Sequence, residues 1–333
     1  MPTDTCYATW VESNTQWIDY DDQQWGECLP GLLNQIWTDT TLYVYAALDL
    51  GFEVIDIVTE NKVAYIDYSG GFSTVWANDT IVFLGTSTNG ISILYKTDII
   101  ADSPPTDLAS YSQSLNFFYG TSSNNIRYLH GNNDFLLCVT DTEVDILKLD
   151  NNTYRSSSTT VSGNAYKGFM TSTGKFYYTT VSPQWSVNRV DKPIMDWTTP
   201  HATYVADGTI LASGIAINDI FVTEGTSSNG IDNVLLIATS SGVYVIDEND
   251  SFDIYNTTGS GYSIVPGLSS NFTAVWADEN SSLSSGKLYV ASEDAFTIID
   301  LETKTVYDRY TQELKGRGNE VLDTDGIIDI NVV

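Results

Sequence analysis

The segment Val75-Trp76-Ala77-Asn78 returns near the far end of the chain as Val275-Trp276-Ala277-Asp278. The first copy runs on through Thr80-Ile81-Val82-Phe83-Leu84-Gly85-Thr86 to Ile91-Ser92-Ile93-Leu94. The second runs on, after a longer loop, through Lys287-Leu288-Tyr289-Val290-Ala291-Ser292 to Ala295-Phe296-Thr297-Ile298-Ile299-Asp300. Four further stretches fit the frame: Ile36-Trp37-Thr38-Asp39 followed by Leu42–Ala46 and Gly51–Asp56, a copy from Tyr128 through Phe135–Val139, one from Gly168 through Lys175–Thr179, and one from Ile217 through Asn233–Thr239 to Gly242–Asp247. Unit starts near 36, 75, 128, 168, 217 and 275 bracket the period of roughly 40 to 50 residues that marks propeller blades.

Each unit reads as strand, tight turn, strand, Gly-containing turn, third strand ending in Asp, and an outer strand such as Lys304-Thr305-Val306-Tyr307. One four-stranded blade has two apolar faces and cannot bury both, whereas a ring of blades buries them and leaves only short edges. The expected fold is therefore all-β, a β-propeller of four-stranded antiparallel blades, six in number with seven as the alternative. Residues 1–35, with Trp10, Trp17 and Trp25 and a polar Asp19-Tyr20-Asp21-Asp22 turn, read as a separate arm or hairpin, and 36–333 as the propeller. The strand-like end, residues 326–333, is expected to close the ring.

Forty-three Asp and Glu against 14 Lys and Arg give a formal net charge of −29, a field that repels phosphate backbones and anionic head groups. Nucleic acid and membrane surfaces are thus poor partners, and no apolar run is long enough to span a bilayer. The start, Met1-Pro2-Thr3-Asp4-Thr5-Cys6, lacks the basic-then-apolar pattern of a secretion signal, so synthesis in the cytoplasm is expected. Of three cysteines, Cys6 and Cys28 would pair if the arm is a hairpin. Cys138, inside Phe135-Leu136-Leu137-Cys138-Val139, reads as core.

No phosphate loop, HExxH or GxSxG motif is present, so phosphoryl transfer, zinc hydrolysis and serine hydrolysis have no motif support. His130 and His201 read as solvated loop residues. The recurring acids Asp39, Asp56, Asp219, Asp247, Asp278 and Asp300 read as turn caps whose oxygens accept nearby backbone N–H groups. Two acidic loops, Asp323-Thr324-Asp325-Gly326 and Asp247-Glu248-Asn249-Asp250, cluster oxygen ligands and make Asp323, Asp325, Asp247 and Asp250 candidate Ca²⁺ ligands. Neither completes an EF-hand loop, and no other cofactor is expected. Trp185, Trp197, Tyr204 and Tyr262 read as loop aromatics that pack under loops, stack on sugar rings or seat a partner.

The Val-Trp-Ala-Asn/Asp starts, together with Ile217-Asn218-Asp219-Ile220-Phe221-Val222 leading to Gly242-Val243-Tyr244-Val245-Ile246-Asp247, resemble propeller-like structural proteins of tailed phages and environmental viruses. The resemblance spans roughly residues 36–310 and implies a non-enzymatic virion component of tail, neck, nozzle or capsid decoration. Such a component would contact other structural proteins of its particle through the arm, with Trp10, Trp17, Trp25, Trp185 and Trp197 as interaction candidates, and would meet a host-surface glycan. The alternatives are a carbohydrate-binding propeller, at an extracellular surface, and a glycoside hydrolase or lyase with its carboxylates at a central channel.

Overall fold

The computed structural model describes residues 8–11, 16–19, 33–38, 43–59, 61–101, 104–106, 108, 115–117, 125–149, 155–160, 164–181, 185–190, 208–213, 215–227, 230–247, 254–256, 271–277, 286–292, 295–303 and 305–311. A two-stranded hairpin, β1 (Ala8–Val11) and β2 (Gln16–Asp19), comes first. Six four-stranded antiparallel sheets follow, each taking its strands in chain order. Sheet 1 is β3 (Leu33–Thr38), β4 (Tyr43–Leu48), β5 (Gly51–Asp56) and β6 (Asn61–Asp67), and sheet 2 is β7 (Thr74–Ala77), β8 (Ile81–Gly85), β9 (Ile91–Tyr95) and β10 (Leu115–Phe117). Sheet 3 is β11 (Ile126–Gly131), β12 (Phe135–Thr140), β13 (Glu143–Lys148) and β14 (Arg155–Thr160), and sheet 4 is β15 (Ala165–Met170), β16 (Phe176–Thr180), β17 (Trp185–Val190) and β18 (Gly208–Ser213). Sheet 5 is β19 (Ile217–Ser227), β20 (Gly230–Thr239), β21 (Gly242–Asp247) and β22 (Ile254–Asn256), and sheet 6 is β23 (Phe272–Ala277), β24 (Lys287–Ser292), β25 (Ala295–Asp300) and β26 (Thr305–Thr311). Among the described residues the one helix is the single turn α1 (Lys96–Ile99). This is a repeated β-blade architecture, and each of the six sequence units falls on one sheet.

The chain divides into two compact units, residues 1–212 with 333, and residues 213–332. In the first, consecutive sheets bury facing apolar layers. Tyr45, Phe52 and Val54 of sheet 1 pack with Val75, Val82 and Leu84 of sheet 2. Trp76, Phe83, Ile91 and Ile93 of sheet 2 pack with Leu129, Leu136, Cys138 and Leu147 of sheet 3. Leu137, Val139, Val144 and Ile146 of sheet 3 pack with Met170, Phe176 and Tyr178 of sheet 4. The period-two alternation of each strand thus serves two cores, one per face, which is why these strands read as nearly continuous apolar runs.

Within each sheet the turns are held by short polar residues. Asn78 Oδ1 accepts the N–H groups of Thr80 and Ile81 at 3.0 and 2.8 Å, and Asn132 Oδ1 does the same for Asp134 and Phe135 at 3.0 and 2.9 Å. At the end of the second strand a hydroxyl closes the next turn by donating to a carbonyl: Thr86 to Gly90, Thr140 to Glu143, Thr239 to Gly242 and Ser292 to Ala295. The predicted turn role holds for Asp56, which accepts from Val58 and Thr59, and for Asp300, which accepts from Thr303. These bonds hold the Asp300 carboxyl below its ordinary value.

Three expectations need correction. His130 is not a solvated loop residue but lies inside β11, 4% exposed. Asp219 is not a turn cap; it is buried in β19 and accepts the backbone N–H of Val275 in the next sheet at 3.1 Å. The Ser/Asn/Gly stretch 225–232 lengthens the spacing between the units that start near 217 and 275 and by composition reads as a loop insertion, but it is largely the extension of β19 and β20, whose pairing continues to Ser227 and Gly230. The residues from 225 to 227 and 230 to 232 supply cross-strand partners, so hydrogen bonding absorbs the added length.

Candidate functional site

The first strands carry buried polar side chains that bond from one sheet to the next. Strand pairing puts six ring-bearing residues at one position: Trp37, Trp76, His130, Phe169, Phe221 and Trp276 stand opposite Tyr45, Phe83, Leu137, Tyr177, Leu236 and Tyr289. In the first unit their rings touch. Trp37 lies 6.1 Å from Trp76 and 5.4 Å from His130 between centroids, and His130 lies 4.0 Å from Phe169. In the second unit Phe221 and Trp276 are 4.3 Å apart.

Two and three residues before that position sits a polar pair that straps one sheet to the next. The side-chain amides of Asn34 and Asn218 donate to the carbonyls of Phe72 and Phe272 at 2.7 and 2.6 Å, and the Ser73 hydroxyl donates to the carbonyl of Ile126. The following residue is an acceptor. Gln35 takes the N–H of Val75 at 3.1 Å, Thr74 takes that of Leu129 at 2.9 Å, and Asp219 takes that of Val275. Thr74 also donates its own hydroxyl to Gln35 Oε1, so the first three sheets share one buried hydrogen-bonded chain. In sheet 3 the task moves onward. His130 Nδ1 accepts the Met170 N–H at 3.1 Å, and the Asn132 amide donates to the Thr171 carbonyl at 2.8 Å.

His130 is therefore neutral with its proton on Nε2, because Nδ1 is committed as an acceptor. Burial lowers its pKa to about 3, since desolvation disfavours the imidazolium. The third strands carry a second recurrent position, Glu53, Ser92, Asp145, Asn188, Tyr244 and Thr297, opposite Ala46, Leu84, Cys138, Tyr178, Ile237 and Val290. Glu53 pairs with Lys62 at 3.5 Å. Asp145 is fully buried with both carboxyl oxygens unpartnered, and burial first, then Glu143, push its pKa well above the ordinary value. Cys138, across from it, is a buried free thiol raised in the same direction by burial and by Asp145.

Of the predicted interaction residues, Trp10 and Trp17 are backbone partners in the register of β1 and β2. Trp185 is the first residue of β17, not a loop residue, and packs edge-on against Tyr166 of β15 at 5.8 Å and 89°. Asp247 ends β21 opposite Val234. Trp25, Trp197, His201, Tyr204, Tyr262, Asp39, Asp250, Asp278, Asp323, Asp325, Cys6, Cys28 and the end 326–333 lie outside the described residues. Among the described residues no group of three or more His, Cys, Asp or Glu side chains is placed to hold a metal ion, and no helix is long and apolar enough to cross a membrane.

A chain built this way belongs to the class of repeated β-blade proteins. No protein-family model and no curated protein matches it. Solved structures share the fold. A chain of Kuenenia stuttgartiensis hydrazine synthase superposes with a TM-score of 0.61 at 9% identity, over 85% of this chain and 80% of that one. The computationally designed Ika8 protein gives 0.56 at 13% identity, over 92% and 81%. The extracellular domain of a hybrid two component system from B. thetaiotaomicron gives 0.56 at 11% identity, over 98% of this chain and 37% of that one. At such identities the likeness concerns the fold alone.

Proposed function

We propose that this chain is a six-bladed β-propeller that acts as a non-enzymatic interaction scaffold, a structural component of a virion that meets its neighbours through the aromatic hairpin and exposed blade edges. One observation carries the reading. Polar side chains of the first strands are engaged with the neighbouring sheet: Gln35, Thr74, His130 and Asp219 each accept a backbone N–H. Of the other buried acids, Glu53 is paired with Lys62, and Asp145, whose carboxyl oxygens have no hydrogen-bond partner, is sealed from solvent. The resemblance to phage and environmental-virus propellers and the strongly acidic surface agree with a protein that assembles with others.

Quantitative mass spectrometry of gradient-purified particles, combined with light scattering of the isolated chain, tests this. A fixed copy number in intact particles is the expected result; a chain absent from every particle, and a soluble monomer that cleaves polysaccharide, would overturn it. The pairing of the exposed Tyr166 with the half-buried Trp185 favours a second reading, a carbohydrate-binding propeller.

A further inference from the structure

The six sheets act as the chain's own alignment, and sheet 4 departs from the pattern twice in one place. Three residues before the ring position, sheets 1, 2 and 5 carry Asn34, Ser73 and Asn218, each hydrogen-bonded to the next sheet; sheet 4 carries Tyr166, 36% exposed. Three residues before the recurrent polar position of the third strand, sheets 1, 2, 3 and 5 carry the turn residues Leu50, Asn89, Thr142 and Ser241, and sheet 4 carries Trp185. The two substituted aromatics come from different strands yet meet at the same end of the sheet, their planes nearly perpendicular. Where the strap is made it is made by Asn34, Ser73 and Asn218, and the turn of sheets 2, 3 and 5 carries Asn89, Thr142 and Ser241, so neither task calls for an aromatic ring.

We propose that Tyr166 and Trp185 form a corner-shaped platform for one ring of a neutral glycan. A pyranose presents a flank of weakly positive C–H groups that matches the negative face of an aromatic ring, and two rings at a right angle contact such a sugar on its face and its edge. The phenol hydroxyl of Tyr166 and the exposed Asn164 beside it supply hydrogen-bonding groups of the kind that orient a sugar. The neighbouring cation, Lys167, is turned onto the Tyr128 ring at 4.5 Å, and the net charge of −29 opposes anionic polysaccharides. Two aromatic side chains are also far too little surface for a stable protein interface, which needs about 800 Å² from each partner. The proposal deepens the scaffold reading by naming a ligand class for one sheet of it.

Isothermal titration of the full chain with cellohexaose, maltohexaose, xylohexaose and chitohexaose, with heparin as the anionic control, tests it. Saturable binding of at least one neutral hexaose is expected, weakened at least tenfold in Trp185→Ala and in Tyr166→Ala and held within about threefold in Trp185→Phe, with the melting temperature followed for each variant. Tyr166 is on the surface, so Tyr166→Ala keeps the test decisive if Trp185→Ala melts early. Failure of all four neutral sugars to bind, binding indifferent to both alanine variants, or a preference for heparin would overturn the platform. Capture of a protein partner through Tyr166 and Trp185 without sugar binding would overturn it as well. Particle incorporation is measured separately, so loss of either conclusion leaves the other standing.

Discussion

Sheet 3 holds two buried titratable groups whose effects on stability run in opposite directions with pH, and separating them is a quantitative test of the structure. His130 has a folded pKa of about 3 against about 6.5 in an unfolded chain. Below 6.5 the unfolded state takes up a proton that the folded state refuses, so stability is complete above 6.5 and falls as pH drops toward 3. The slope is about 1.4 kcal/mol per pH unit, near 2 kcal/mol by pH 5. Asp145 is raised, so its contribution is complete below about 3.8 and falls at the same limiting slope as pH rises, until the folded carboxyl itself ionises. For as long as the folded Asp145 carboxyl stays protonated, the two slopes oppose each other. Asp145→Asn removes the second term while keeping the shape of the side chain. The difference in unfolding free energy between this variant and the parent, taken from urea titrations at matched pH, should grow by about 1.4 kcal/mol per unit above pH 4.5. It should level off at the folded pKa of Asp145. His130→Gln, which keeps an acceptor for Met170, should show the complementary difference, growing as pH falls below 6.5. A difference between Asp145→Asn and parent that is independent of pH would mean that Asp145 is ionised in the fold, and would refute the burial argument.

Other consequences follow from the same contacts. A Cβ at Gly131 would stand 2.6 Å from the Phe135 carbonyl oxygen and 3.1 Å from the Trp76 ring, so Gly131→Ala should cost about 1 to 3 kcal/mol in urea unfolding. Removing a strap acceptor leaves a buried N–H unpaired, so Gln35→Ala and Thr74→Ala should each cost about 1 to 3 kcal/mol. Because the two side chains share a hydrogen bond, their double-mutant cycle should show a coupling of at least 0.5 kcal/mol. The Cys138 thiol, buried and raised, should resist alkylation at pH 8 in the folded chain and react fully in urea.

What the sequence made legible follows from how locally each feature is encoded. The blade unit was readable because strand alternation, the Asn78 turn and the Val-Trp-Ala-Asn/Asp starts are contiguous patterns. The ring position was visible in Trp37, Trp76 and Trp276 but not in His130, Phe169 and Phe221, where a different ring is used and only the strand register aligns it with the others. His130 read as a loop residue because Gly131-Asn132-Asn133-Asp134 follows it, yet the turn begins only after Gly131. The straps were hidden for a different reason. Each joins residues roughly one blade apart in sequence, and an Asn-Gln, Ser-Thr or Asn-Asp pair inside a strand carries no local mark of a partner in the next sheet. Asp219 looked like a turn acid because acids recur at strand ends, and only the packing of sheet 6 against sheet 5 reveals its acceptor role.

The central claim is that the polar residues of the first strands hold the blades together and are not left for chemistry. Native-state amide hydrogen exchange resolved at Val75, Leu129, Met170 and Val275 tests it most directly, since these four N–H groups end on Gln35, Thr74, His130 and Asp219. The account predicts that they belong to the slowest-exchanging class, opening only with the surrounding sheets, and that Gln35→Ala, Thr74→Ala and Asp219→Ala each accelerate their own partner amide most. Exchange of these amides as fast as that of exposed turns would contradict it, leaving the same side chains free to bind or react.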